Sequence, residues 1–370
     1  MHRRQFLTGA AALAAVPLSA RLATAAELPF DAVVTRDTAP ADGVPTYDSV
    51  AAAIAAAPRE PRRPFRISVA RGRWHEKLVI DRPAIELLGD PRGGSVLSYD
   101  AAAGQRGPDG QPWGTWGCAS VTVRAPDFRA RDLTIENAFD YVGNLVRPQF
   151  EAIGPNGPQA VALMLADGSD RACLDRVEII GHQDTLFADG GRSRFRACVV
   201  RGSVDFIFGA GSARFEDCEI QSRFRPGKER QGYVAAPSTP SDQAAGLVFE
   251  NCRLTREPQV PDHSVALGRA WRPTRDFPDG RYGDPGVVGA AYFLDCWIDA
   301  HVGEPAWDPM AYTARDGSRV MFEPRDARFG EWRSRGPGAL RSAARLQLDA
   351  AARHAAAAEQ MFGDWRPGDA

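Results

Sequence analysis

Short strand-like runs of alternating apolar and polar residues recur through the middle of the chain at a nearly constant interval. They cover residues 67–69, 121–123, 133–135, 177–179, 197–200, 214–220, 247–252 and 292–296. Corners rich in Gly and Asp separate them, and no helix of the length that a βαβ unit needs lies between them. The pattern is typical of stacked coils and predicts an all-β fold, a single-stranded right-handed parallel β-helix. A β-sandwich is the alternative.

Both ends of such a solenoid need a cover. Residues 46–57 (TYDSVAAAIAAA) predict a short amphipathic capping helix that stops before Pro58. Residues 339–361 are rich in Ala and Leu and carry Arg on one face, which predicts a C-terminal helix laid back along the coils. No linker or shift in composition divides residues 26–370, so they are predicted to form one domain.

The first 25 residues indicate an export signal of the twin-arginine type. Arg3 and Arg4 precede an apolar stretch, and an A-x-A site ends at Ala25. The chain is therefore expected to be exported to the periplasm or beyond, with an uncleaved N-terminal anchor as the alternative. Beyond this segment no apolar run approaches the length of a membrane-spanning helix.

The composition narrows the possible function classes. The chain has 370 residues, of which 44% are hydrophobic and 25% charged, which excludes a disordered or collagen-like protein. Its formal net charge is −2, which argues against a nucleic-acid partner.

Four of the six cysteines share one local frame, each three residues after a Phe: Cys198, Cys218, Cys252 and Cys296. Equivalent residues on successive coils stack about 4.8 Å apart, which lies inside the Cα separation of about 4.4–6.8 Å that a disulfide accepts. This predicts a Cys198–Cys218 disulfide, with buried free thiols as the alternative. Cys252 and Cys296 could pair only across a long corner loop. No cysteine spacing suggests a metal site.

Five short segments contain the candidate chemistry: residues 72–76 (GRWHE), 159–163 (QAVAL), 181–187 (GHQDTLF), 202–209 (GSVDFIFG) and 267–273 (LGRAWRP). Gln159 and Gln183 are 24 residues apart, and Asp184 and Asp205 are 21 apart. Each interval is about one coil. We therefore expect these four side chains to stack on one face of the β-helix.

Two carboxyl groups on adjacent coils cannot both ionise easily, so one of the two pKa values is expected to rise. Asp205 lies in an apolar context and needs a cation, for which Arg269 is the candidate because its guanidinium can bind a carboxylate with two hydrogen bonds. The amides of Gln159 and Gln183 are neutral donors suited to an oxyanion.

These segments resemble those of the pectin methylesterases, the carbohydrate esterases that de-esterify homogalacturonan. The family motifs G-x-Y-x-E, Q-A-V-A-L, G-Y-Q-D-T-L, G-T-V-D-F-I-F-G and L-G-R-P-W occur in the same order. The changes are Trp74, His182, Ser203 and Ala270, none of which replaces a residue with a chemical role. The resemblance extends from about residue 30 to residue 367 and is to the bacterial secreted branch.

The resemblance implies a role for each candidate. Asp205 would attack the C6 methyl-ester carbonyl, and Asp184 would protonate methanol and then activate water. Gln159 and Gln183 would stabilise the oxyanion, and Arg269 would hold Asp205 ionised. The residues at saccharide-contacting positions are Thr115, Phe208, Arg225, Tyr233, Trp271, Thr274 and Met310. No metal and no organic cofactor is implied.

The function implied is that of a pectinesterase, which releases methanol and pectate from methyl-esterified homogalacturonan. The protein is expected to be an exported monomer that binds this polysaccharide and binds neither nucleic acid nor a membrane. Three alternatives remain open. They are a β-helix pectate lyase, a related esterase or thioesterase acting on a non-pectin ester, and a non-catalytic polysaccharide-binding solenoid.

Overall fold

The computed structural model describes residues 30–37, 43–146, 153 and 157–368. The predicted export signal lies outside these residues. Almost all strands belong to three parallel sheets, and along the chain the strands visit the sheets in rotation. This is the predicted all-β right-handed parallel β-helix, which is thereby confirmed.

The strands of sheet 1 are β1 Ala32–Val34, β2 Thr46–Tyr47, β3 Phe65–Val69, β6 Ile85–Leu88, β9 Arg129–Arg131, β12 Ala172–Asp175, β15 Arg192–Arg196, β18 Ser212–Glu216, β21 Leu247–Glu250, β26 Ala290–Leu294 and β31 Arg328–Trp332. Those of sheet 2 are β4 Gly72–His75, β7 Ser95–Tyr99, β10 Thr134–Asn137, β13 Glu178–Ile180, β16 Val199–Gly202, β19 Glu219–Ser222, β22 Arg253–Arg256 and β27 Trp297–Ile298.

The strands of sheet 3 are β5 Leu78–Ile80, β8 Val121–Val123, β11 Leu163–Leu165, β14 Leu186–Ala188, β17 Ile207–Gly209, β20 Gly232–Pro237, β23 Val265–Arg269 and β28 Trp307–Asp308. Two antiparallel hairpins project from the coils, β24 Thr274–Phe277 with β25 Gly280–Gly283 and β29 Met310–Thr313 with β30 Arg319–Phe322. The helices are α1 Val50–Ala55, α2 Gly114–Gly117, α3 Tyr141–Val146, α4 Ala350–Ala355 and α5 Ala358–Phe362, and residues Pro324–Asp326 form a 3-10 turn.

The interior of the β-helix is filled by rows of identical side chains. Phe195, Phe215, Phe249 and Phe293 stack face to face, with ring centroids 4.6, 4.7 and 4.5 Å apart along the row. Because parallel in-register strands place equivalent residues directly above one another, each coil repeats the packing of the previous one.

The predicted Cys198–Cys218 disulfide is not present in this structure, in which all six cysteines are free thiols. Cys198 and Cys218 do lie on adjacent coils, where β15 and β18 turn into β16 and β19, but each Sγ donates to a backbone carbonyl. The acceptors are Leu174 O and Phe195 O, both at 3.4 Å. Val177 holds the same buried corner position one coil earlier, so this is a position for packing, and the cysteines fill it as small apolar side chains.

The N-terminal capping helix is present but shorter than predicted. Residues Thr46–Tyr47 form β2 instead, and α1 spans Val50–Ala55 with Ser49 as its N-cap. The Glu76 carboxylate accepts the free backbone N–H groups of Val50 and Ala51, both at 2.9 Å. The GRWHE segment therefore serves to fix the cap at the N-terminal end of the coils.

The predicted C-terminal helix over residues 339–361 is also corrected, because only α4 and α5 are helical there. Asp349 starts α4 by accepting from Ala352 N. The chain before it turns at residues 342–345, where the buried Arg345 binds Glu331, and then bridges β31 through Gln347. The two helices do lie along the coils as expected. Arg192 and Arg214 of sheet 1 hold them through Phe362 O at 2.6 Å and Ala356 O at 2.7 Å. Across the described ranges, no helix has the length and hydropathy that crossing a membrane requires.

Candidate active site

Asp184 and Asp205 occupy equivalent positions on adjacent coils, as the spacing predicts. Leu186 of β14 pairs with Ile207 of β17, and each aspartate comes two residues before its strand. A backbone hydrogen bond from Asp184 N to Val204 O, 3.0 Å long, joins the two turns. Both aspartates have left-handed backbone conformations, with φ of 60° and 49°. The turn from sheet 2 into sheet 3 therefore presents two carboxyl groups in register.

Close packing leaves room for glycine alone before each of these turns. A Cβ at Gly202 would lie 2.2 Å from Phe206 Cβ, and one at Gly181 would lie 2.7 Å from Thr185 Oγ1. The glycines that open the GHQDTLF and GSVDFIFG segments are thus required by the tight turn that carries each aspartate.

Arg269 binds Asp205 with both ends of its guanidinium group. Its Nε lies 2.9 Å from Oδ1, and its Nη2 lies 2.6 Å from Oδ2. Asp205 is 8% exposed, so this carboxylate is held by one cation in a place with little water. The predicted partnership between Arg269 and Asp205 is present in the structure.

Asp184 has no such cation of its own. Burial raises the pKa of its carboxyl well above the ordinary value, the negative charge of Asp205 raises this pKa further, and Arg269 partly opposes both effects. The protonated form of Asp184 is therefore favoured, whereas the Asp205 carboxylate is held by Arg269. The surroundings thus give two identical side chains different chemical properties.

The two glutamines lie on the coils that the sequence predicts. Ala160 N donates to Gln183 O over 3.1 Å, which places the backbone after Gln159 directly beside Gln183. Gln159 Oε1 is buried, and among the described residues it has no hydrogen-bond partner. The Gln183 amide likewise makes no side-chain hydrogen bond to another described residue. The NH2 groups of both amides also make no hydrogen bond to a described residue, so both can donate to a ligand.

Further side chains surround Arg269, and two of them, Asp308 and Arg230, were missed by the sequence analysis. The guanidinium lies flat over the Tyr233 ring, 4.1 Å from its centroid. Asp308 pairs with Arg269 in the β23–β28 register and binds Arg230 at 3.0 Å. No motif marks Asp308 or Arg230, because only the pairing of the coils brings them here. Tyr233, predicted as a saccharide contact, also serves to orient Arg269.

His182 is buried and stacks on Tyr141, with ring centroids 4.8 Å apart. Burial, and then the charges of Arg223 and Arg225, lower its pKa to about 3, so it is a neutral ring at working pH. The hydroxyl of Tyr141 accepts from Arg225 Nε at 3.0 Å. Arg225, one of the predicted saccharide contacts, is therefore positioned by Tyr141. Tyr141 in turn stacks on His182, which lies in the same turn as Asp184.

An aromatic wall lies on the outer face of sheet 3 beside the carboxyl pair. Phe187 and Phe208 stack at 4.1 Å, and Trp271 packs against Phe208 at 5.9 Å. Trp116, which the sequence analysis did not single out, covers Phe187 at 5.4 Å and is 52% exposed. Phe208 itself is only 3% exposed, so the two tryptophans form the accessible surface of the wall.

The remaining predicted saccharide contacts lie at the rim. Thr115 is in α2 beside Trp116. Thr274 and Met310 each begin one of the projecting hairpins, and the hairpins are joined through Arg272, whose guanidinium lies 4.5 Å from the Tyr312 ring. No described contact connects these three residues to the two aspartates, so their roles stay predictions.

The arrangement is suited to acyl transfer. An ionised carboxylate held by arginine can act as a nucleophile, a protonated carboxyl beside it can supply a proton, and unpaired amides can receive an oxyanion. Within the part of the chain that the structure covers, no cluster of three His, Cys, Asp or Glu side chains could hold a metal ion.

Comparison with known proteins gives one consistent result. Residues 33–276 match the family model Pectinesterase. Pectinesterase A of Dickeya dadantii (strain 3937) is 39% identical over 342 residues, which is 91% of this chain and 92% of the relative. The structure of pectin methylesterase PemA from Erwinia chrysanthemi matches with a TM-score of 0.86 and 40% identity over 92% of this chain and 99% of that chain. A pectin methylesterase solved in complex with a hexasaccharide matches with the same TM-score at 39% identity and with the same coverage.

Proposed function

The chain belongs to the pectinesterase family, and from this premise we propose that it hydrolyses the C6 methyl esters of galacturonosyl units in pectin, with Asp205 as nucleophile and Asp184 as acid and base. The products are methanol and pectate. The observation that carries the assignment of roles is the asymmetry of the carboxyl pair: Arg269 holds Asp205, whereas Asp184 is buried with a raised pKa.

In the first half of the reaction, an Asp205 oxygen attacks the ester carbonyl carbon. The carbonyl oxygen becomes an oxyanion, which the amides of Gln159 and Gln183 stabilise by donating hydrogen bonds. When the intermediate collapses, the bond to the methoxy oxygen breaks and Asp184 gives that oxygen its proton. Methanol leaves, and the galacturonosyl acyl group remains joined to Asp205 as an anhydride.

In the second half, Asp184 is a carboxylate and takes a proton from water. The resulting hydroxide attacks the galacturonosyl carbonyl carbon of the anhydride, and the bond to Asp205 breaks. The products of this half are the free uronic acid, which loses its proton to water and becomes the uronate, and the Asp205 carboxylate, which Arg269 again holds. Asp184 has recovered its proton, so the site is ready for the next ester.

Methanol release from highly methylated pectin by the purified chain is the direct test. Asp205→Asn and Asp184→Asn should each lower the rate by at least about a thousandfold, since one removes the nucleophile and the other the proton donor. Asp217→Asn is the matched control, because Asp217 also has a left-handed backbone, with φ of 55°, but lies at the opposite corner of the coil. A rate within tenfold of wild type in Asp205→Asn would contradict the assignment.

The substrate class and the destination of the chain belong to the same proposal. The aromatic wall and the arginines beside it suit a polysaccharide of uronic acid units, and a related enzyme has been solved with a hexasaccharide. The chain acts as an exported monomer on this polymer outside the cytoplasm. Fractionation of cells that produce the full chain, together with the sedimentation of the purified protein, tests export and oligomeric state.

A further inference from the structure

The apolar stripe that includes the aromatic wall does not end at the catalytic coils. It continues along the outside of sheet 3 toward the N-terminal end through Met164, Val161 and Cys118 and reaches Tyr99 and Trp113. Tyr99 ends β7, whereas Asp205 precedes β17. In sheet 2, β7 is followed by β10, β13 and β16 as neighbouring strands, and Asp205 comes after β16. Tyr99 therefore lies three coils from the nucleophile.

A cavity of about 660 Å³ lies at this far end of the stripe. Its walls are the rings of Tyr99 and Trp113 together with the polar side chains of Asp100, Gln105 and Arg106. Aromatic faces combined with a few hydrogen-bonding groups are the surroundings that a pyranose ring with hydroxyl groups requires. Nothing in the proposed chemistry uses this cavity.

A cation lies beneath the cavity. The Lys77 ammonium is 4.9 Å from the centroid of the Trp113 ring and 5.8 Å from that of Tyr99, and it donates to Ala119 O. In the described ranges no carboxylate forms an ion pair with Lys77. Burial is the main influence on this ammonium and lowers its pKa. Asp100 also lines the cavity, but its carboxylate lies 3.6 Å from His75 Nε2 and forms no ion pair with Lys77. A ligand with a negative charge would provide the missing partner.

We infer that Tyr99, Trp113 and Lys77 form a distal subsite that binds a demethylated galacturonate unit of the same polysaccharide chain that is held at Asp205. This inference rests on the proposed function, because the bound chain is taken to be the substrate polymer. Three coil spacings of about 4.8 Å separate the subsite from the nucleophile. An extended polysaccharide reaches the subsite only when it is several units long, so a short oligomer bound at Asp205 cannot contact it.

The test compares binding of a demethylated galacturonate trimer and decamer by calorimetry, which does not depend on turnover. Trp113→Ala should weaken decamer binding roughly tenfold and leave trimer binding unchanged. Tyr99→Leu should act in the same direction and serves if Trp113→Ala fails to fold. Trp297→Ala is the matched control, since Trp297 also packs against a cation, 5.0 Å from Arg253, but lies on sheet 2 away from the cavity.

The charge requirement is tested separately with Lys77→Gln. In an Asp205→Asn background, which should not turn the ester over, this variant should lose affinity for the demethylated decamer and bind a fully methylated decamer as the Asp205→Asn protein does. Equal losses for trimer and decamer, or no loss in any variant, would overturn the subsite. Failure of the proposed function would appear differently, as an absence of methanol release by the wild-type chain, whatever the binding results are.

Discussion

Replacement of Arg269 by Met should lower the free energy of unfolding, because it leaves the buried charge of Asp205 without a partner. The side chains of Arg269 and Asp205 are only 22% and 12% exposed, and they share two hydrogen bonds. Removal of one partner of a buried pair costs about 3–5 kcal/mol, because the other charge remains without a partner. Since both side chains keep some contact with water, we expect the low end of that range, about 3 kcal/mol.

The double variant Arg269→Met/Asp205→Asn identifies the cause. Once Asp205 carries no charge there is nothing left to compensate, so the double variant should recover most of the lost free energy of unfolding. Urea unfolding of wild type, both single variants and the double variant completes the cycle. Arg272→Met is the control, because Arg272 also packs on an aromatic ring and donates to Val287 O, but it makes no described ion pair.

The pH dependence gives a second check on the same reasoning. The penalty in Arg269→Met comes from a buried negative charge without a partner, and carboxyl groups lose that charge in acid. The penalty should therefore vanish at acid pH. The penalty should grow as the pH rises. A double variant as unstable as Arg269→Met, or a penalty that is the same at acid and neutral pH, would refute this account.

Three further predictions concern neighbouring groups. Asp184→Asn should stabilise the fold at neutral pH by more than about 1 kcal/mol. The pKa of Asp184 is raised in the folded wild type, so between the ordinary pKa and neutral pH the carboxyl group ionises more readily in the unfolded chain, which destabilises the wild type. Thermal melts should show that this gain disappears below about pH 3.9. The rate of methanol release by wild type should fall as the pH rises through the raised pKa of Asp184. Gln159→Ala should lower this rate by about 10²–10³-fold without changing the pH at which it falls. Glu76→Ala should cost about 1 kcal/mol in urea unfolding and leave methanol release unchanged, because Glu76 caps α1; a loss of activity would argue against this structural role.

The coil repeat and the carboxyl pair could be predicted from the sequence because both depend on spacing. A parallel β-helix converts a constant interval along the chain into a constant separation in space, so an interval of 21 residues was enough to place Asp184 beside Asp205. The arginine partner could be predicted from charge compensation alone. These predictions needed no knowledge of loop conformations.

The parts that were missed depend on packing between segments that are distant in the chain. Trp116 and Tyr141 lie between strands of successive coils, outside the recurring strand runs, and Asp308 meets Arg230 only through the β23–β28 pairing. The helix over residues 339–361 was overextended for a similar reason. Local composition favoured a helix, but the buried ion pair between Arg345 and Glu331 and the bridge between Gln347 and Glu331 hold a non-helical turn against β31.

The left-handed corners of the coils show why Asp184 and Asp205 are exceptional. The turn from sheet 1 into sheet 2 uses one left-handed residue in each of seven coils: Asp132, Arg176, Ala197, Asp217, Asn251, Asp295 and Arg333. All seven are exposed or half-buried, and their side chains vary, so this backbone conformation does not demand aspartate. At the turn from sheet 2 into sheet 3, Asp184 and Asp205 have the same conformation but are buried, where a carboxyl group is costly. The turn conformation therefore does not explain why both of these residues are aspartates. The proposed reaction explains them, because it uses one aspartate as nucleophile and the other as acid and base on adjacent coils.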